Sequence, residues 1–122
     1  MRILIADDDP DIRVIIRRFL QKDNYSFTEA ADGQEALEKI SERAPDLVIL
    51  DIMMPFMDGI TFLKKSSGLL KEKNIPVIVV TALKDINSYE LGEDFDAADI
   101  LIKPFERDIL SEKVRHALSI RE

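Results

Sequence analysis

Four consecutive aliphatic residues, Leu47-Val48-Ile49-Leu50, run without interruption into Asp51. A strand with one wet face alternates apolar and polar residues. An unbroken apolar run bounded by polar residues therefore predicts a strand covered on both faces. Pro55 and then Asp58-Gly59 follow, which are loop and turn signals. Such a strand belongs to a parallel sheet with helices above and below, and these sheets bind ligands beyond the carboxyl ends of their strands. Asp51 stands at that end. A solvated strand terminus accounts for a lone aspartate about equally well, so the rest of the chain has to decide.

Elsewhere, strand and helix signals alternate. Residues 2–6 are a short apolar run ending in Asp7-Asp8-Asp9-Pro10. Pro10 suits a first helical turn and Asp9 can cap it. Ile12, Ile15, Ile16, Phe19 and Leu20 then recur at helical spacing. Residues 25–30 predict a weaker strand at the sheet edge. Asp32 and Glu35 have capping-box spacing ahead of a helix carrying Leu37 and Ile40, which Pro45 ends. Asp58-Gly59 opens a helix with Phe62, Leu63, Ser66, Leu69 and Leu70 on its inner face. Pro76 and the run 77–80 predict a strand ending in Thr81. Residues 84–95 predict a helix of poor periodicity, weakened by Gly92. Residues 98–102 predict a strand ending in Lys103-Pro104-Phe105, and Ile109, Leu110, Val114, Ala117 and Leu118 a last helix. The expected architecture is α/β: a five-stranded parallel sheet between helical layers.

Composition narrows the function. With 122 residues, 46% of them hydrophobic and no linker-like stretch, the chain is expected to be a single domain over 1–122. Cysteine is absent, which removes disulfides, thiol catalysis and thiolate metal sites. No apolar run approaches a membrane span and no signal-peptide pattern is present, so a cytoplasmic protein is expected. The net charge of −7, with no basic face in the sequence, speaks against direct nucleic-acid binding. The lone His116, beside Arg115 on the last helix, reads as a solvated or partly packed residue.

Four of the predicted strands end in groups that can do chemistry: Asp7 and Asp8, Asp51, Thr81 and Lys103. If the strands are parallel, these ends share one edge. Carboxylates crowded there repel one another and suffer desolvation, which a hard divalent cation would offset. Oxygen ligands without His or Cys point to Mg²⁺ or a similar ion rather than zinc. A hydroxyl and an ammonium suit phosphate oxygens, and a carboxylate among such groups suits attack on a phosphoryl group. Each residue also has an ordinary account: a helix cap, a strand end, a snorkelling lysine. All of these being coincidental at one sheet edge is the weaker explanation.

In this order and spacing, Asp7-Asp8, the run D-I-M-M-P-F-M-D-G from Asp51, Thr81-Ala82 and Lys103-Pro104-Phe105 resemble the receiver domain of two-component response regulators over essentially the whole chain. The resemblance implies a doubly wound, flavodoxin-like three-layer sandwich with strand order 2-1-3-4-5. It implies Asp51 as the phosphoacceptor, Asp8 as a direct Mg²⁺ ligand, Asp7 as its acidic neighbour and Met53 as the donor of a backbone carbonyl to the metal. Thr81 matches the hydroxyl that moves onto the phosphoryl group, Lys103 the lysine that pairs with it, and the Lys103-Pro104 peptide is expected to be cis. The implied partner is a sensor histidine kinase or histidine phosphotransfer protein. An effector domain or downstream protein, and a phosphorylation-dependent homodimer, are further possibilities of the family. The implied domain is a switch that catalyses only its own phosphorylation and dephosphorylation.

Two departures bear on output. Ile100 stands where the family often has an aromatic residue, and Asp96-Ala97-Ala98-Asp99 replaces the common Gly-Ala-Asp-Asp. A β-branched side chain is stiff at χ1 and has no hydroxyl to exchange partners. The response is therefore expected to rest on displacement of the helix at 84–95, and to be read on that helix, strand five and the last helix. Met53 and Leu83, apolar at positions that influence water access in the family, imply slow self-dephosphorylation.

Two other classes remain open on sequence alone. An aspartate-based phosphatase of the haloacid dehalogenase type would use the D-x-D spacing within Asp7-Asp8-Asp9, and turnover of a phosphate ester would reveal it. A flavodoxin-like binding module would need a Ser/Thr/Gly-rich phosphate loop after strand one, where three aspartates stand instead.

Overall fold

The structure, a computed structural model, describes residues 1–82 and 99–120. Its strands are β1 (Arg2–Ala6), β2 (Ser26–Ala30), β3 (Leu47–Leu50), β4 (Val77–Thr81) and β5 (Asp99–Ile102). Its helices are α1 (Pro10–Leu20), α2 (Gly33–Glu42), α3 (Gly59–Glu72) and α4 (Arg107–Ile120), with a short 3-10 turn at Gln21–Asp23. All strands are parallel, in the order β2-β1-β3-β4-β5. This is the expected flavodoxin-like topology, with β2 at one edge. The expected helix at 84–95, and Ala98 of the expected fifth strand, lie outside the described residues.

The uninterrupted apolar strands serve two cores. Along β3, Val48 and Leu50 pack into the layer of α2 and α3, while Leu47 and Ile49 pack against α1 and α4. Along β4, Val77 and Val79 go to the first layer, and Ile78 and Val80 to the second. Successive side chains on a strand point to opposite faces, so a strand buried on both sides has no position for a polar residue until it ends.

The helices begin at acidic caps. Side-chain oxygens of Asp9, Asp32 and Asp58 accept from the backbone N–H of Asp11, Glu35 and Thr61. Each cap satisfies a donor that the first turn leaves unpaired. Phe62, Leu63, Ser66 and Leu70 of α3 are buried, as expected, with Leu69 partly so. Two of the apolar residues whose spacing predicts helices project outward: Ile15 is 39% exposed and Ile109 43%. The apolar residues of α1 span more arc than one helix can bury against a sheet, and its seam centres on Ile16 and Leu20. On α4 the seam runs through Leu110, Val114, Ala117 and Leu118. Phe19 of α1 meets Phe105 edge-on at 5.9 Å, tying the segment after Lys103 to the α1 layer.

Candidate functional site

The parallel register sets the site. Ala6 pairs with both Ala30 and Leu50, Leu50 pairs with Val79, and Thr81 pairs with Ile102, so β1, β2 and β3 end level while β4 and β5 run two residues further at the same edge. One further hydrogen bond then pins each residue just past its strand. Asp7 N–H donates to the carbonyl of Ala30, Asp51 N–H to Ala6 and Lys103 N–H to Thr81, at 3.0, 2.8 and 2.8 Å. Two carboxylates and the lysine are thereby fixed to one edge by backbone bonds, before any side chain interacts.

The side chains converge there. One carboxylate oxygen each from Asp7, Asp8 and Asp51 lies within 4.8 Å of the others. Lys103 Nζ sits 2.7 Å from Asp7 Oδ2 and 3.2 Å from Asp51 Oδ2. Asp51 Oδ1 accepts from Met53 N–H at 3.3 Å, and Asp7 Oδ1 from Asp9 N–H at 2.9 Å. Asp7, Asp51 and Thr81 are buried, and Asp8 is exposed. An open cavity of about 610 Å³ adjoins the cluster, lined by Asp8, Ile52, Met53, Met54, Pro55 and Asp58. Lys103-Pro104 is cis, as expected.

Burial raises the Asp51 carboxyl above its usual range. Repulsion from Asp7 adds to this, while Lys103 opposes it through charge and hydrogen bonding, as does Met53 N–H by its hydrogen bond. For Lys103, burial alone would favour loss of the proton. The hydrogen bonds and negative charges of Asp7 and Asp51 outweigh burial and raise its pKa. These directions are compatible because one ammonium is shared by two carboxylates and lies nearer Asp7. With three carboxylates against one ammonium, the site carries excess negative charge in a partly dry setting. The donor set is all oxygen, and the geometry therefore fits a hard divalent cation held by Asp7, Asp8 and Asp51.

The structure brings together Asp7, Asp8, Asp51 and Lys103, places Met53 beside Asp51, and links Thr81 to Lys103 through the β4–β5 ladder. Leu83 lies outside the described residues. His116 is exposed on α4, and Ile100 is partly buried against the α2/α3 core. Two supporting residues were not legible from the sequence. A Cβ on Gly59 would lie 2.4 Å from the Asp51 carbonyl oxygen, and Gly59 N–H donates to Ile52 at 2.8 Å. Its Asp-Gly signal announced a turn; the close approach to the strand end is a tertiary fact. Arg13, a charged residue on an otherwise ordinary amphipathic helix, reaches back to the Asp7 carbonyl.

The sequence profile of the "response regulator receiver domain" family matches residues 3–115. The chain is 38% identical over 120 residues to "Response regulator MprA" of Mycolicibacterium vanbaalenii, a match covering 97% of this chain and 50% of that one. It spans about half the length of this and similar curated relatives. It is 33% identical over 120 residues to "Sporulation initiation phosphotransferase F" of Bacillus subtilis, covering 98% and 95% of the two chains. Among solved structures, the response regulator TrrA of Thermotoga maritima, in complex with Mg²⁺ and BeF, superposes with a TM-score of 0.83. The two are 35% identical, over 95% of this chain and 97% of that one.

Proposed function

The chain belongs to the response regulator receiver family, a phosphoryl-accepting domain of two-component signalling, and we propose that Asp51 is its phosphoacceptor, with Asp7 and Asp8 holding Mg²⁺ beside it. The observation that carries this assignment is the convergence of three carboxylates at one sheet edge with Lys103 shared between two of them. Membership in this family sets aside the phosphatase and flavodoxin readings.

Asp51 attacks the phosphorus of a phosphohistidine on a partner protein. A bond from an Asp51 carboxylate oxygen to phosphorus forms and the phosphorus–nitrogen bond breaks, its electron pair passing to the imidazole, which is protonated from solvent. Asp7, Asp8 and Asp51, with the Met53 carbonyl, would hold Mg²⁺, which would supply charge neutralisation for the phosphoryl oxygens when bound. Lys103 exchanges its contact with Asp51 for a phosphoryl oxygen and keeps its contact with Asp7. Thr81 donates its hydroxyl to another phosphoryl oxygen. The same groups govern loss of the phosphoryl group to water, so the domain catalyses only its own phosphorylation and dephosphorylation.

The partner is a sensor histidine kinase or a histidine phosphotransfer protein. The output is read by an effector domain, a downstream protein or a second copy of the chain after phosphorylation. We further read residues 1–122 as one receiver domain acting in the cytoplasm. No helix among the described residues is long and apolar enough to cross a membrane.

Incubation with a small acyl phosphate and Mg²⁺ tests the assignment. One acid-stable, base-labile phosphoryl group per chain is expected, and none in Asp51→Asn. Undiminished labelling of that variant would overturn it.

A further inference from the structure

Arg13 lies on α1, one turn beyond the Asp9 cap, and its side chain is only 17% exposed. Its guanidinium makes two contacts. Nη1 donates to the backbone carbonyl of Asp7, and Nε donates to Glu29 Oε1 on β2 at 2.9 Å. The second Glu29 oxygen lies 3.3 Å from Arg17 Nε, one turn along α1. Glu29 is thus hydrogen-bonded to Arg13, which also bonds the Asp7 carbonyl, and ion-paired with Arg17, whose Nε makes no hydrogen bond.

That carbonyl occupies a sensitive place. Asp7 N–H makes a ladder bond beyond the end of β1, to Ala30. Beyond it the backbone leaves the sheet and turns into α1, and a carbonyl there has no strand partner to rely on. The peptide it belongs to joins Asp7 to Asp8, so its orientation decides where the Asp8 side chain departs. Asp8 is exposed, unlike buried Asp7 and Asp51. Backbone orientation must then do most of the work of aiming its carboxylate.

We propose that Arg13 is a positioning residue for the cation site: anchored on Glu29, its guanidinium holds the Asp7–Asp8 peptide so that both carboxylates face Asp51. This rests on the reading of Asp7, Asp8 and Asp51 as cation ligands. A planar fork with several donors can bridge a carboxylate and a carbonyl at once, which an ammonium cannot do with the same geometry.

Charge and positioning predict opposite signs. Removing a cation near the site should by Coulomb's law strengthen binding of another cation. Removing a positioning residue should weaken it, by about tenfold for a group that orients metal ligands. The experiment is calorimetric titration of the unphosphorylated chain with Mg²⁺, well below the melting temperature of each variant.

Arg13→Gln is expected to weaken Mg²⁺ binding about tenfold. Arg17→Gln removes the same charge from the same helix and also contacts Glu29, yet makes no bond to the Asp7 carbonyl; its affinity should be unchanged or higher. Arg13→Lys keeps the charge and most of the packing, and should bind severalfold more weakly than the parent. It decides the matter if Arg13→Gln does not fold. Unchanged or tighter binding in the Arg13 variants, or an equal loss in Arg17→Gln, would overturn the role of Arg13. Asp8→Ala tests the underlying reading separately: if it binds Mg²⁺ as well as the parent, the ligand assignment fails. If Asp8→Ala loses binding and the Arg13 variants do not, only the positioning role fails.

Discussion

Asp7 and Lys103 stand 96 positions apart in the chain, yet Lys103 Nζ lies 2.7 Å from Asp7 Oδ2. This contact joins the end of β1 to the end of β5 across the two strands between them in the sheet. It holds the lysine over the cluster, with its second contact on Asp51 at 3.2 Å. Lys103→Ala would leave two buried carboxylates without that ammonium. The expected loss is about 2 kcal/mol, below the full cost of an uncompensated ion because Asp51 can take up a proton. Mg²⁺ should recover more stability in this variant than in the parent, since a ligand bound only by the folded state stabilises it. Denaturant unfolding with and without Mg²⁺ measures both, and equal Mg²⁺ responses would contradict the shared-lysine picture.

Asp51 gives a pH-dependent test. Burial, then Asp7, raise its pKa in the folded protein, so the folded state holds this proton more tightly than the unfolded chain does. Its contribution to stability is fully present below the unfolded pKa and is lost as pH rises through the folded value. At neutral pH the ionised group therefore weighs against folding. In the absence of Mg²⁺, Asp51→Asn should be the more stable protein at pH 7, and its advantage should shrink near pH 4, about the unfolded pKa of an aspartate. A lower unfolding midpoint for the variant at pH 7 would reverse the sign.

Two glycines of α3 should respond in opposite directions. A Cβ on Gly59 would meet the Asp51 carbonyl at 2.4 Å and Ile52 Cα at 2.9 Å, backbone atoms that cannot yield without moving the strand end. Gly59→Ala should cost about 2 kcal/mol and slow phosphorylation, because the displaced backbone carries Asp51. Gly68 has open space where a Cβ would go, and sits inside the helix. Gly68→Ala should stabilise by about 0.5–1 kcal/mol with the phosphorylation rate unchanged. Thermal unfolding and acyl phosphate labelling of the two variants separate these effects.

Phe56 is 95% exposed and holds a left-handed backbone at φ 65°. An L-residue disfavours that region by about 1–2 kcal/mol, and this side chain recovers little of it by burial. Phe56→Gly should therefore raise stability by about 1 kcal/mol, less whatever entropy glycine adds to the unfolded chain. A lower melting temperature would show that the exposed ring contributes a contact worth more than the strain.

The layers of this protein were legible in the chain because they follow local rules. The continuous run at Leu47–Leu50 announced a strand covered on both faces, and the run at Val77–Val80 announced a strand; both feed two cores. Asp9, Asp32 and Asp58 announced helix starts, and each accepts a first-turn N–H. The placing of charged residues just past the strands was legible too, since an apolar run has to end where the sheet ends. What the chain alone left open is distance between elements. That Lys103 would lie between Asp7 and Asp51, that Gly59 would press on the Asp51 carbonyl, that Arg13 would reach the Asp7 carbonyl and that Ile15 would face outward all depend on register and helix rotation. Periodicity reports a residue's face on its own element, with a reach of one helical turn or two strand positions. Contacts spanning up to 96 positions are fixed only when the crossovers bring the strand ends to one edge, and that is decided by packing in three dimensions.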